Sequence, residues 1–267
     1  MIDFQKKLGF TPLLILDDGH GEETAGKRTP PFPDGTVIRE NQFNKPVVNL
    51  IEQDAKRLGF YTLQVAPEDN SVPLSTRVTR ANNAFEAYKA ELKKQGVDYS
   101  GNVVAVYISI HFNAYLGTWE SKSEGIETHH YPGSYIGEKL AKSIQKHIKQ
   151  GTPQVDRGVK ASNFYVLRKT QMPAALVEGG FMDNLREASL MLNEEYQKEM
   201  ATEVLKGVCE FFGIEYIDEP IVEEHWGIEF IKNLKNQNLI SGDHEPTDQV
   251  TWAEFASVVT KLLDLEK

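Results

Sequence analysis

The chain carries a single cysteine among 267 residues. A disulfide within the chain is excluded, and cysteine-based metal or nucleophile chemistry has almost nothing to rest on. Cys209 itself falls in an apolar helical pattern and reads as a small core residue. No stretch approaches the roughly 18 apolar residues that a membrane-crossing helix needs. The opening residues, MIDFQKKLGF, lack the charged start and apolar core of a secretory signal, so the expectation is a chain made in the cytoplasm without a signal peptide. Dense Lys/Arg runs are missing too, and the formal charge is −10. Neither nucleic acid, which demands a clustered basic face, nor a membrane is expected as a partner.

What remains has the balance of an ordered globular protein, with length for one large domain and a small appendage. Apolar runs at residues 13–16, 61–65, 103–110, 126–131, 164–167 and 174–177 read as strands. Amphipathic spacing predicts helices between them: Phe43 to Leu58, Ser75 to Gly96, Ser134 to Gln150 and Glu194 to Phe212. Such alternation predicts an α/β fold, a mostly parallel sheet covered by helices on both faces. Residues 214–224, acidic and broken by a proline, read as a linker. It separates a large domain, 1–213, from a small helical one, 225–267, whose core is marginal by itself.

The stretch LLILDDGHG, residues 13–21, ends a buried strand in a histidine between two glycines. That is where open α/β sheets bind ligands. Alone, it is more often just a turn. His111 follows the β-branched run 103–110, Glu178 follows 174–177, and Glu40 opens a helix. Side chains at the C-terminal edge of a parallel sheet converge, and two imidazoles with a carboxylate suit zinc with one coordination position open. The remaining carboxylate would then be a general base. Each residue also has an ordinary alternative: a hydrogen-bonded histidine, an acidic residue in a first helical turn, a glutamate bridging to an arginine.

At these residues the chain resembles a known family. DDGHG at 17–21, Glu40 before its helix, LSTRVTRAN at 74–82, SIHFNA at 109–114, GVKASNFYVLR at 158–168 and LVEGGFMDN at 176–184 are similar, in order, to the motifs of the zinc-dependent N-acetylmuramoyl-L-alanine amidases of the amidase-3 type. The resemblance implies that His20, Glu40 and His111 hold Zn2+ and that Glu178 is catalytic. It implies a twisted, mostly parallel six-stranded sheet. The implied reaction is hydrolysis, in bacterial peptidoglycan, of the amide between N-acetylmuramic acid and the first alanine of the peptide stem. Asp18 stands where the family usually has proline, and the loop between His20 and Glu40 is specialised by KRTPPFPDG, which bears on the stem accepted.

Asn113 and His129 are weaker candidates for substrate binding; Asn113 could equally form a turn, and adjacent His129 and His130 on a strand would face opposite sides. His147 on a helix is expected to be solvated, and His225 and His244 to bind nothing. Residues 226–263 resemble one surface-layer-homology-like repeat, which implies binding to a secondary wall polymer; a helical hairpin for homodimerisation is the competing expectation. The two-part layout without a signal resembles a phage or prophage endolysin. A bacterial autolysin of the same activity, a zinc exopeptidase on a similar sheet, and a wall-binding protein with a vestigial site are the alternatives.

Overall fold

Alternating strand faces decide this architecture. The computed structural model describes residues 1–119, 121–218, 227–242, 244 and 248–265. They contain β1 (Leu13–Asp17), β2 (Tyr61–Gln64), β3 (Ala105–Asn113), β4 (Ile126–His130), β5 (Asp156–Ala161) and β6 (Ala174–Phe181), ordered β2-β1-β3-β6-β4-β5 in one sheet. All ladders are parallel except β4 against β6. The expected six-stranded, mostly parallel α/β sheet is therefore present.

The helices are α1 (Phe4–Leu8), α2 (Asn41–Leu58), α3 (Leu74–Lys94), α4 (Tyr135–Gly151), α5 (Tyr165–Lys169), α6 (Leu185–Ala188), α7 (Glu194–Phe211), α8 (Ile228–Asn236) and α9 (Trp252–Leu265). Because side chains alternate along a strand, Leu14, Leu16, Val106, Ile108, Ile110 and Val177 share one core with α2, α4 and α7. Cys209 lies in that core, as expected, and burial pushes its thiol up to about 12. Leu13, Ile15, Tyr107 and Leu176 face the other way, against Val78 of α3 and Val166 and Leu167 of α5. This second face has the thinner cover, and it carries the polar residues at the C-terminal ends of β1, β3 and β6.

The expected strand at 164–167 is not formed. Those residues lead into α5, and the edge strand is β5, DRGVKA, whose side chains are exposed or half-buried. A polar edge strand has no buried face to write an apolar run. Strands β3 and β6 also run on past Ile110 and Val177, so His111 and Glu178 lie within them rather than after them.

The chain divides into two compact units, Met1–Ile217 and Asp218–Lys267. Residues 214–217 pack on the first: Ile214 is buried, and the Tyr216 hydroxyl donates to Asp54 Oδ2 at 2.5 Å. In the second unit, the α9 start is a capping box in which Glu254 N donates to Thr251 Oγ1 (3.2 Å) and Thr251 N to Glu254 Oε2 (2.7 Å). Leu239 is buried there, while Phe230, Trp252, Phe255 and Leu263 are exposed. His225, Trp226 and the linker from 219 onward lie outside the described residues.

Candidate active site

Gly19 places the first imidazole. Its φ of +71° turns the chain after β1, and a side chain there would meet Asn44 Nδ2 and His111 Cε1, both at 2.7 Å from its Cβ. Gly21 is equally constrained, with Ser71 N only 2.1 Å from where a Cβ would sit. His20 emerges between them, its ring edge-on to His111 with centroids 5.0 Å apart.

Glu40 at the start of α2 reaches under both rings and is 1% exposed. Its Oε1 accepts from Asn44 Nδ2 (3.2 Å) and Phe112 N (3.2 Å) and lies 3.0 Å from His111 Nδ1. Its Oε2 has no hydrogen-bond partner; it faces His20 Nε2 at 3.8 Å and Lys27 Nζ at 3.7 Å. One ligand atom from each of His20, Glu40 and His111 can be chosen so that all lie within 4.8 Å of one another. A buried carboxylate with one oxygen at His111 and the other, unpartnered, facing His20 fits a zinc ion, which takes nitrogen and oxygen ligands in a small tetrahedral shell.

His20 and Glu40 are held in the protonation states that a metal requires. Burial, with lesser effects from His111, Lys27 and Arg77 against Glu40, lowers His20 to about 4, leaving a neutral imidazole at neutral pH. Burial would raise Glu40, but the His111 hydrogen bond and the charges of both histidines and Lys27 outweigh it and hold the carboxyl near 2. Burial alone would lower His111, whereas its bond to Glu40 and the surrounding carboxylates raise it.

Glu178 stands opposite His111 in the β3–β6 ladder, on the same face. Its Oε2 is buried without a hydrogen-bond partner. Burial pushes its carboxyl up to about 8, with Glu40 and Glu127 adding to the rise and His111 and Lys27 opposing it. Glu127 is the next residue along this row, opposite Glu178 on β4. It takes Arg157 Nε (2.6 Å), Asn113 Nδ2 (3.0 Å) and His129 Nε2 (3.1 Å), and His129 Nδ1 lies 2.7 Å from Ser162 Oγ. The polar atoms of Asn113 and His129 are thus engaged within the protein, Asn113 Oδ1 also capping Ala114 N.

The other histidines lie apart. His130 Nδ1 bonds Tyr131 O (3.0 Å), His147 is paired with Glu210 (2.7 Å) rather than merely solvated, and His244 bonds Ser241 O (2.8 Å). Two loops rim the site. Trp119 Nε1 donates to Pro31 O at 2.7 Å and its ring lies 4.8 Å from Phe32, tying the 27–35 loop to the segment after β3. Asp183, fully buried, holds that segment by accepting from Tyr115, Leu116 and Gly117 N at 2.6–2.8 Å. Periodicity marks neither Asp183 nor the Asp17–Arg77 pair beside His20, because an acid that bonds backbone or a buried arginine leaves no periodic signal. Asp18, the residue in place of proline, is buried 3.4 Å from Arg77 Nη1, and burial together with Asp17 raises it to about 7.

A family model described as N-acetylmuramoyl-L-alanine amidase matches residues 14–210. The germination-specific N-acetylmuramoyl-L-alanine amidase of Bacillus subtilis is 26% identical over 209 residues, covering 75% of this chain and 79% of that protein. The endolysin of Bacillus phage SPP1 is 33% identical over 209 residues, 76% of this chain and 66% of its own. Among solved structures, the N-acetylmuramoyl-L-alanine amidase from Clostridium difficile 630 superposes with a TM-score of 0.62 at 27% identity, over 76% of this chain and 97% of that one.

Proposed function

The chain belongs to the Amidase_3 family of N-acetylmuramoyl-L-alanine amidases, and from that membership we propose a zinc-dependent peptidoglycan amidase whose metal is held by His20, Glu40 and His111 and whose catalytic carboxylate is Glu178. The observation that carries this assignment is the buried Glu40 carboxylate, one oxygen at His111 and the other unpartnered toward His20, with Glu178 in register beside His111. When bound there, zinc would polarise the scissile carbonyl and lower the pKa of a water molecule toward about 7.

The protein's own groups do the rest. Glu178 Oε2, free of internal bonds, takes a proton from the attacking water and returns it to the leaving alanine nitrogen as the C–N bond breaks. The water oxygen ends in the lactyl carboxylate, and the peptide stem leaves as a free amine. Burial raises the Glu178 carboxyl above the ordinary range, which makes its ionised form a stronger base toward that proton. Asn113 and His129 border this row, and we assign them a part in substrate binding exerted through Glu127, which both of them bond. Selection among peptide stems is assigned to the 27–35 loop that Trp119 fastens.

Digestion of purified peptidoglycan with mass analysis tests the reading. Free glycan strands with lactyl ends and intact stems are expected; loss of both is expected after chelation and in Glu178→Ala, the latter by about 10²–10⁴-fold in rate. Undiminished cleavage without metal would reject the mechanism, and release of single amino acids from free peptides without lactyl ends would favour the exopeptidase.

We further propose an endolysin-like role, supported by the similarity to the SPP1 endolysin, with residues 225–267 binding a secondary wall polymer or a second copy through exposed apolar side chains such as Trp252 and Phe255. Cells expressing the protein should lyse only when their membrane is permeabilised. Unaided export followed by lysis would indicate an autolysin.

A further inference from the structure

Behind the proposed metal ligand His111 lies a polar chain that catalysis by Glu178 does not use. Ser109, two residues earlier on the same face of β3, is fully buried, and its hydroxyl donates to Asp17 Oδ2 at 2.8 Å. The same oxygen accepts the Tyr107 hydroxyl at 2.7 Å, and Asp17 Oδ1 takes the guanidinium of Arg77. Asp17, Tyr107 and Arg77 are each no more than 1% exposed. Ser109 Oγ is also 3.0 Å from His111 Nε2, while the opposite ring nitrogen, Nδ1, faces Glu40.

Counting hydrogens fixes the direction of this chain. A serine hydroxyl has one hydrogen. Ser109 commits it to Asp17, so toward His111 it can only accept. The hydrogen on that contact then belongs to His111 Nε2, whereas Nδ1 shares its hydrogen with Glu40 Oε1, and that second hydrogen is the one a metal held with His20 and Glu40 would replace. We infer that Asp17 and Ser109 are positioning residues which lock His111 in its Nε2–H tautomer and so present Nδ1 to the metal. The inference rests on the zinc site proposed above. It has a physical precedent in the carboxylate partners that orient metal-bound imidazoles, here with a hydroxyl interposed. Burial matters to its strength: with no water able to replace Ser109, removing the hydroxyl leaves the Nε2–H without an acceptor.

The test reads zinc binding rather than turnover. Competition against a chromophoric chelator should show Ser109→Ala binding zinc about 10–100-fold more weakly than the unaltered protein, with Ser109→Thr restoring most of the affinity. Thr128→Ala is the control: Thr128 is a buried strand hydroxyl that bonds Gln145 Oε1 at 2.7 Å, outside the His111 chain, and its loss should leave zinc affinity unchanged. Equal affinity in Ser109→Ala and the unaltered protein would overturn the relay. Should Ser109→Ala fail to fold, nitrogen-15 NMR of the zinc-loaded unaltered protein decides: metal on His111 Nδ1 with a slowly exchanging proton on Nε2 supports the relay, and metal on Nε2 overturns it. If the unaltered protein binds no zinc at all, the metal reading falls, and the relay with it.

Discussion

His111 and Glu178 face each other directly across the parallel ladder of β3 and β6. The separation of the proposed metal ligand from the proposed catalytic carboxylate is thereby set by backbone hydrogen bonds, at about the 4.8 Å spacing of neighbouring strands, and not by a loop. A slip of one residue would send Glu178 to the opposite face, into the core of α2, α4 and α7. The same row continues to Glu127 on β4, so Glu178 has His111 on one side and Glu127 on the other.

Burial of Glu178 makes metal-free stability depend on pH. Its folded carboxyl titrates near 8 against an ordinary 4.5, chiefly through desolvation. Between those values the folded protein holds a proton that the unfolded chain has lost, so unfolding releases a proton and stability falls as pH rises through this window. Glu178→Gln should flatten that decline. Thermal unfolding of both chelated proteins from pH 5 to pH 8 checks this, and parallel slopes would refute it.

Gly19→Ala should damage the site without removing a ligand. Its φ of +71° disfavours a side chain, and the new Cβ would press on Asn44 and His111 at 2.7 Å. A loss on the order of 1–3 kcal/mol in stability is expected, together with weaker zinc binding, read by denaturant titration and chelator competition. Unchanged affinity would separate the turn from the metal site.

Asp183→Ala removes one oxygen that three backbone N–H groups share. With a charge-assisted bond contributing about 1.5–3 kcal/mol, stability should drop on the order of 3 kcal/mol, and protease cleavage should appear within 114–119. Zinc affinity should persist, because His20, Glu40 and His111 do not bond Asp183.

Ending the chain after Ile217 should preserve hydrolysis of soluble muropeptides while reducing binding to whole cells. Ending it at Phe212 should be less stable, because Ile214, the Tyr216–Asp54 bond and the Arg57 bond to Ile217 O would be lost. Unchanged cell binding by the longer truncation would remove the wall-binding role of residues 225–267.

The central strands were legible in the sequence because burial on both faces writes continuous apolar runs, as in VVAVYISI leading to His111. The four residues of the proposed site were legible for a related reason: each sits where such a run, or a helix start, meets the sheet edge. Strand β5 was not, since half-exposed DRGVKA shows no pattern, and the nearby apolar FYVL drew the assignment although it starts α5. The supporting polar groups were hidden as well. Asp17 looked like part of a turn until Arg77, 60 positions away, closed on it, and such pairings depend on tertiary approach that periodicity does not record.

The most direct measurement is anomalous X-ray scattering at the zinc edge from crystals of the zinc-loaded protein. The expected result is one strong peak bonded to His20, Glu40 and His111, with Glu178 beside it and not ligating. A peak elsewhere, or none among these three residues in a protein that still releases intact stems from peptidoglycan, would contradict the proposed catalytic centre.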